Sequence, residues 1–245
     1  MAQRLARTPG GREVAGSSPA SPTRSVLIMK LSVIYDQYSI PRNLRTHMLR
    51  VASLGRLICV NLSPTIKIDK VLLITSLLVH DMGNIVKFDF SSNLIKWSED
   101  VAVLKKIQNT FITKYGSADH EVTENILKEI GVKDSIIKTT HEMTIEKLGH
   151  ILKNKQWDLL VATYADYRIG PIGIISLDQR IDDLVVRNGN KPSLNWSSSQ
   201  KVETYRKNLN KCEKIIQKYC SISLNSINDK TLENYFEDFL KRDII

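Results

Sequence analysis

Cysteine is scarce, with Cys59, Cys212 and Cys220 the only three in 245 residues. Their number is odd and their spacing is not that of metal ligands, which excludes a disulfide framework and a zinc ribbon and fits a reducing cytoplasm. No run approaches the roughly 20 apolar residues that a membrane-spanning helix needs, so we expect a soluble protein without a membrane partner. Strict alternation of apolar and polar residues persists nowhere long enough for a sheet. No nucleic-acid motif and no basic stripe interleaved with aromatics is present. No internal repeat is visible.

What is present fits an ordinary globular chain. The hydrophobic fraction is 42% against 25% charged residues, and the length suits one mid-sized domain with appendages and a substantial core. The net charge of +9 favours an anionic partner such as a phosphate ester, a nucleotide or nucleic acid. Lysine and arginine are spread along the chain, so the charge alone selects none of these.

Residues 1–28 differ from the rest. They are rich in Gly, Pro, Ser, Ala and Arg, contain one acid, Glu13, and lack a helical apolar repeat. They read as a disordered or spurious extension. Gly16-Ser17-Ser18-Pro19 is what the invariant T-arm of a transfer RNA gene looks like when read as codons, which would put the true start at Met29. A disordered tail and an Arg-rich targeting peptide are the competing readings.

From Pro41 onward apolar residues recur at three and four, the helical period, and the fold class expected is all-α. A first helix begins near Pro41 and turns Leu44, Met48, Val51, Ala52, Leu54 and Ile58 inward, ending by Asn61 to Pro64. Val71 to Val79 is apolar almost all round and should lie at the centre of the domain. Asp89 to Trp97 reads as a loop. Further helices are expected at Asp100 to Phe111, at His120 to Ile130 closed by Gly131, at Asp134 to His141 and at Trp157 to Tyr167. Three more follow: Ser176 to Arg187; a stripe of Val202, Tyr205, Leu209, Cys212, Ile216 and Tyr219; and a last helix marked by Leu232, Tyr235, Phe236, Phe239 and Leu240. The stripe would serve core packing or, less simply, a homodimer contact. We expect a principal domain over 29–190 and a C-terminal helical extension over 191–245 packing on it.

Four residues carry chemistry. His47 shares the helix face of Leu44 and Val51, where a lone histidine would most often be a hydrogen-bonded core residue. His80 and Asp81 directly follow the most apolar helix, where a buried aspartate is costly without a counter-charge. Asp166 lies four residues after Ala162 and seven after Leu159, on the inward face of another apolar helix; a salt bridge to Arg168 is the plain alternative. Two His and two Asp on three inward faces form a mixed nitrogen and oxygen set suited to Mn, Fe, Co, Ni, Zn or Mg.

The order His, His-Asp, Asp resembles the HD superfamily of metal-dependent phosphohydrolases. Arg45-Thr46-His47-Met48-Leu49-Arg50-Val51 is similar to that family's first helix, Leu77-Leu78-Val79-His80-Asp81-Met82-Gly83-Asn84 to its second motif, and Ala162-Thr163-Tyr164-Ala165-Asp166 to its last. The resemblance covers about 42–166. It implies an all-α bundle in which His47, His80, Asp81 and Asp166 hold a catalytic divalent ion and Asp81 also orients the attacking water. His120-Glu121 and His141-Glu142 are similar to extra histidines of some HD subfamilies, which would add a second ion bridged by Asp81; as surface residues they would add nothing. Asn84 stands where the HD-GYP group has lysine, and no Gly-Tyr-Pro signature follows, which argues against cyclic-dinucleotide cleavage. Arg45, Arg50, Lys87 and Arg168 are candidate holders of substrate phosphate, and His150 reads as a surface residue.

The function expected is hydrolysis of a small phosphomonoester or phosphodiester, nucleotide-like in character, in the cytoplasm. The alternatives are a non-catalytic HD-fold signalling module and an RNA-associated helical protein. A chain shortened to begin at Met29 is expected to melt at an unchanged temperature; a loss of several degrees would show that the first residues pack on the domain.

Overall fold

The computed structural model describes residues 29–91, 97–189 and 196–245, so the 1–28 extension and part of the loop expected at Asp89 to Trp97 lie outside the described residues. The helices are α1 (Leu31–Gln37), α2 (Arg42–Asn61), α3 (Lys70–Val79), α4 (Val101–Tyr115), α5 (Asp119–Ile130), α6 (Asp134–Glu142), α7 (Leu148–Asn154), α8 (Trp157–Tyr167), α9 (Leu177–Asn188), α10 (Ser199–Tyr219), α11 (Asp229–Glu233) and α12 (Phe236–Leu240). Short 3-10 turns at Asn84–Lys87, Ile145–Lys147 and Leu224–Ser226 join some of them. Among the described residues there is no strand, only isolated bridges such as Leu62 with Cys220. The all-α expectation is met.

The most apolar segment is the innermost one. Every residue of α3 from Leu73 to Val79 is buried, because a helix that is hydrophobic all round finds its lowest free energy where it has neighbours on all sides. Asp69 starts it, its carboxylate accepting the Leu72 N–H at 2.9 Å; an N-cap of this kind contributes about 1 kcal/mol. Helices α2, α6 and α8 pack around α3. At one crossing Gly55 of α2 brings the helices close, since a Cβ there would lie 2.5 Å from Leu77 Cδ1.

The C-terminal helices close the other side. Helix α10 packs on α7, α8 and α9, and α11 and α12 pack on α2. The middle of the α10 stripe is core, with Tyr205, Leu209, Cys212 and Ile216 buried, while Val202 is half-buried and Tyr219 is exposed. One apolar cluster runs from Leu31 to Ile244. The backbone ties the two ends of the described chain as well, with Leu31 N–H donating to Arg242 O at 2.9 Å and Ile244 N–H to Met29 O at 3.0 Å.

Three elements depart from expectation. Helices α1 and α7, each seven residues long, are too short to announce themselves by periodicity and form because tertiary contacts hold them. Tyr35 of α1 donates its buried hydroxyl to the Leu78 carbonyl, and Arg45 binds the carbonyls of Tyr35 and Ile40 at 2.9 and 2.6 Å. The single helix expected from Leu232 to Leu240 is two, α11 and α12, with a break at Asn234 and Tyr235 that lets both Leu232 and Phe239 be buried.

Glycine matters most just after α3. A Cβ on Gly83 would meet the Thr123 backbone nitrogen at 2.5 Å and the Asp119 carbonyl at 2.7 Å, and the Gly83 N–H donates to Thr123 Oγ1 at 2.9 Å. The turn that carries His80 and Asp81 is thereby seated against the first turn of α5. Gly83→Ala is expected to cost about 1–3 kcal/mol, the range for overpacking against rigid neighbours, read as a lowered thermal midpoint; an unchanged midpoint would mean the turn slides freely.

Candidate metal centre

Three of the helices deliver four side chains to one place. His47 comes from the middle of α2, flanked by the buried Leu44, Met48 and Val51. His80 caps the C-terminal end of α3 and Asp81 follows it, where the helix dipole favours positive charge. Asp166 closes the buried run Leu160 to Ala165 on α8.

The distances are short and mutual. His47 Nε2 lies 3.1 Å from Asp166 Oδ1 and 3.5 Å from Asp81 Oδ2, and His80 Nε2 lies 3.5 and 3.6 Å from the same two oxygens. The imidazole centroids are 5.5 Å apart. Candidate ligand atoms of His47, His80 and Asp81 fall within 4.8 Å of one another, and Asp166 contacts both rings. The alternative partner for Asp166 is engaged elsewhere: Arg168 pairs with Glu213 at 3.0 Å and with the Ile175 carbonyl at 2.7 Å.

The tautomer of His80 is set by its surroundings. Nδ1 lies 2.8 Å from the Leu77 carbonyl, which can only accept, so Nδ1 carries a proton and donates it. Nε2 is buried and makes no close hydrogen bond, its nearest acceptors being Asp166 Oδ1 and Asp81 Oδ2 at 3.5 and 3.6 Å. Backbone-anchored Nδ1 with a free Nε2 is the arrangement of a metal-ligating imidazole. A divalent ion therefore fits the donor set, since it would satisfy that orphaned nitrogen and offset two carboxylates in one step.

Electrostatics agree. Burial pushes the His80 pKa down, but the carboxylates of Asp81 and Asp166 and the Leu77 carbonyl outweigh it and raise the value to about 9. Burial likewise opposes ionisation of Asp166, yet hydrogen bonds and charge from His47 and His80 hold its carboxyl well below the usual range. The ionised Asp166 carboxylate thus faces both rings, and a proton on His80 balances it.

The other candidates fall elsewhere. His120, on the first turn of α5, and His141, on the last turn of α6, are exposed, and His141 Nδ1 lies 3.3 Å from the Lys147 ammonium. Among the described residues neither joins the cluster. His150 is exposed as expected and pairs with Asn154 at 2.8 Å. The bases expected to hold phosphate are mostly structural. Arg45 commits all three nitrogens to Asp36, Tyr35 and Ile40. Arg168 is buried in the Tyr164 and Glu213 network. Lys87 pairs with Asp119 at 2.7 Å. Arg50 meets Asp229 and Glu233 at 3.1 and 3.2 Å. Those two acids were not anticipated, for no local signal ties residues some 180 positions apart.

A model of the HD domain family matches residues 44–168, just over half of the chain and the span that holds all four side chains. The chain belongs to the HD domain family. No curated protein and no solved structure matches it. The His80-Asp81 pair lies inside the matched span, and Asp166 faces it across the cluster.

Linkage gives the pH dependence of metal uptake. A group raised from about 6.5 to about 9 stabilises the metal-free fold fully below the lower value and loses that contribution as pH rises through about 9. Metal must displace this proton. Apparent affinity for a divalent ion is expected to climb about tenfold per pH unit from about 7 and to level off near 9, with protons released on binding; titration calorimetry in two buffers of different ionisation enthalpy reads both, and a flat profile would contradict the assignment.

Proposed function

We propose that this HD domain protein is a phosphohydrolase that cleaves a small phosphomonoester or phosphodiester, nucleotide-like in character, with a divalent ion held by His47, His80, Asp81 and Asp166. The observation that carries the reading is the buried Nε2 of His80, which makes no close hydrogen bond and faces a second imidazole and two carboxylates. A bound divalent ion lowers the pKa of a coordinated water and polarises a phosphoryl oxygen.

The chain's own groups have separate tasks. His47 and His80 would each offer a ring nitrogen to the ion, and the Leu77 carbonyl keeps the second ring in register. Asp166, resting on both rings, supplies charge and orientation. Asp81 places Oδ2 toward the rings; its other oxygen, which has no hydrogen bond among the described residues, accepts a proton from the attacking water and orients it. The chain's net charge of +9 favours an anionic substrate. Among the described residues no helix is long and apolar enough to cross a membrane.

The rival reading is a non-catalytic module of the same fold. It differs in an observable way, because such a module has no use for an intact ligand set. Asp81→Asn is expected to leave helical circular dichroism unchanged while lowering turnover of a phosphoester by about 10²–10⁴-fold, the range for loss of a general base, and reducing bound metal by elemental analysis. Full activity in this variant would remove the hydrolytic reading.

A further inference from the structure

One arginine ties the C-terminal helices to the turn of α2 that follows His47. Arg50 lies three residues after His47 on α2, which makes their side chains neighbours with Cβ atoms about 5–6 Å apart. Its Nε is 3.1 Å from Asp229 Oδ1 and its Nη2 is 3.2 Å from Glu233 Oε1. Both acids belong to α11, outside the span that matches the family. The arginine side chain is only 15% exposed.

Asp229 does more than neutralise. Its carboxylate also accepts the Ile174 N–H, at 3.1 and 3.3 Å for the two oxygens, and a Cβ on Gly173 would collide with it. That loop directly follows Ile169, which ends the turn after α8. One carboxylate therefore joins the segment beyond His47 to the segment beyond Asp166.

A guanidinium has two edges that can each grip an oxyanion. On the Nε and Nη2 edge, Glu233 accepts a hydrogen bond from Nη2, and Asp229 pairs ionically with Nε, which makes no hydrogen bond. The other edge, made by Nη1 and the second N–H of Nη2, makes no hydrogen bond or ion pair among the described residues. Arg45 has no such edge left, Arg168 is buried within its own network, and Lys87 lacks a fork. A planar fork held still and partly desolvated matches a phosphoryl group in shape and charge. The acids that hold it are 39% and 52% exposed, so solvent screens their repulsion of an incoming anion.

We propose that the free edge of Arg50 takes a phosphoryl oxygen of the substrate, and that Asp229 of the C-terminal extension is the positioning residue that aims it. This rests on the phosphohydrolase reading and adds the subsite that would select a phosphoryl group.

The test uses the full chain loaded with Mn²⁺, with inorganic phosphate as the calorimetric ligand and p-nitrophenyl phosphate as the assayed ester. Arg50→Gln is expected to raise the phosphate Kd at least about tenfold, a loss of about 1.4 kcal/mol, with metal content unchanged. Arg50→Lys should restore only part of it. Asp229→Asn should raise KM and the phosphate Kd together with little change in kcat, and it carries the test if the Arg50 variants melt early. Arg56→Gln is the docking control, because Arg56 stacks 4.8 Å from the Tyr235 ring and so also joins α2 to the C-terminal helices; its phosphate Kd should not move. The proposal is overturned if Arg50→Gln binds phosphate as the unaltered chain does, if the unaltered chain binds none, or if Arg56→Gln weakens binding as much as Asp229→Asn. Arg50-dependent phosphate binding by a metal-loaded chain that turns over no phosphoester would instead keep the subsite and sink the hydrolytic reading.

Discussion

Two carboxylates and two imidazoles stand within hydrogen-bond or near hydrogen-bond reach where α2, α3 and α8 meet, and the surrounding structure answers to the cost of putting them there. Removing such groups from water is expensive unless charge is balanced. A proton on His80, whose pKa the two carboxylates raise, balances part of this charge, and a divalent ion held by the four side chains would balance it as well. The apolar helices around the cluster leave its side chains only 5–20% exposed, which strengthens each of these interactions.

The rigidity of the scaffold comes from several independent ties that converge on the same point. Helix α3 is buried from Leu73 to Val79, though Val71 at its start is exposed, so its C-terminal end, where His80 sits, has little freedom. The turn beyond it is pinned by Gly83 against α5. The Arg168 network fixes the chain just after Asp166 to α10, and Asp229 fixes the next few residues to α2. The four side chains are thus braced by neighbours in sequence that are themselves held from distant parts of the chain, which is the arrangement that keeps a metal site within a fraction of an ångström of its working geometry.

The C-terminal helices are part of this bracing. They bury the α10 stripe against α7, α8 and α9 and place acids beside Arg50, one turn from His47. The distribution of basic residues follows from the same network. Of the bases that looked available for substrate in the sequence, Arg45 and Arg168 are consumed by backbone carbonyls and acids, and Arg50 keeps an edge without a hydrogen bond or ion pair among the described residues.

Much of this was legible in the residues themselves. Period-three-and-four spacing marked α2, α3, α4, α5, α6, α8, α9 and α10 to within a few positions, since amphipathic periodicity is a local property. The His, His-Asp, Asp order pointed to the cluster because an aspartate directly after an apolar helix demands a counter-charge. Tertiary structure alone decided the rest. Helices of seven residues exist only through partners, so α1 and α7 left no local trace. His120 and His141 look like ligands in sequence order, but the direction of a side chain at a helix end is set by packing, and both face solvent. Which of Arg45, Arg50, Lys87 and Arg168 remains free is likewise a question of distant acids and carbonyls. The sequence determines the helices and the chemistry carried on their inner faces; the long-range contacts decide which charges hold the fold together and which are left to meet a ligand.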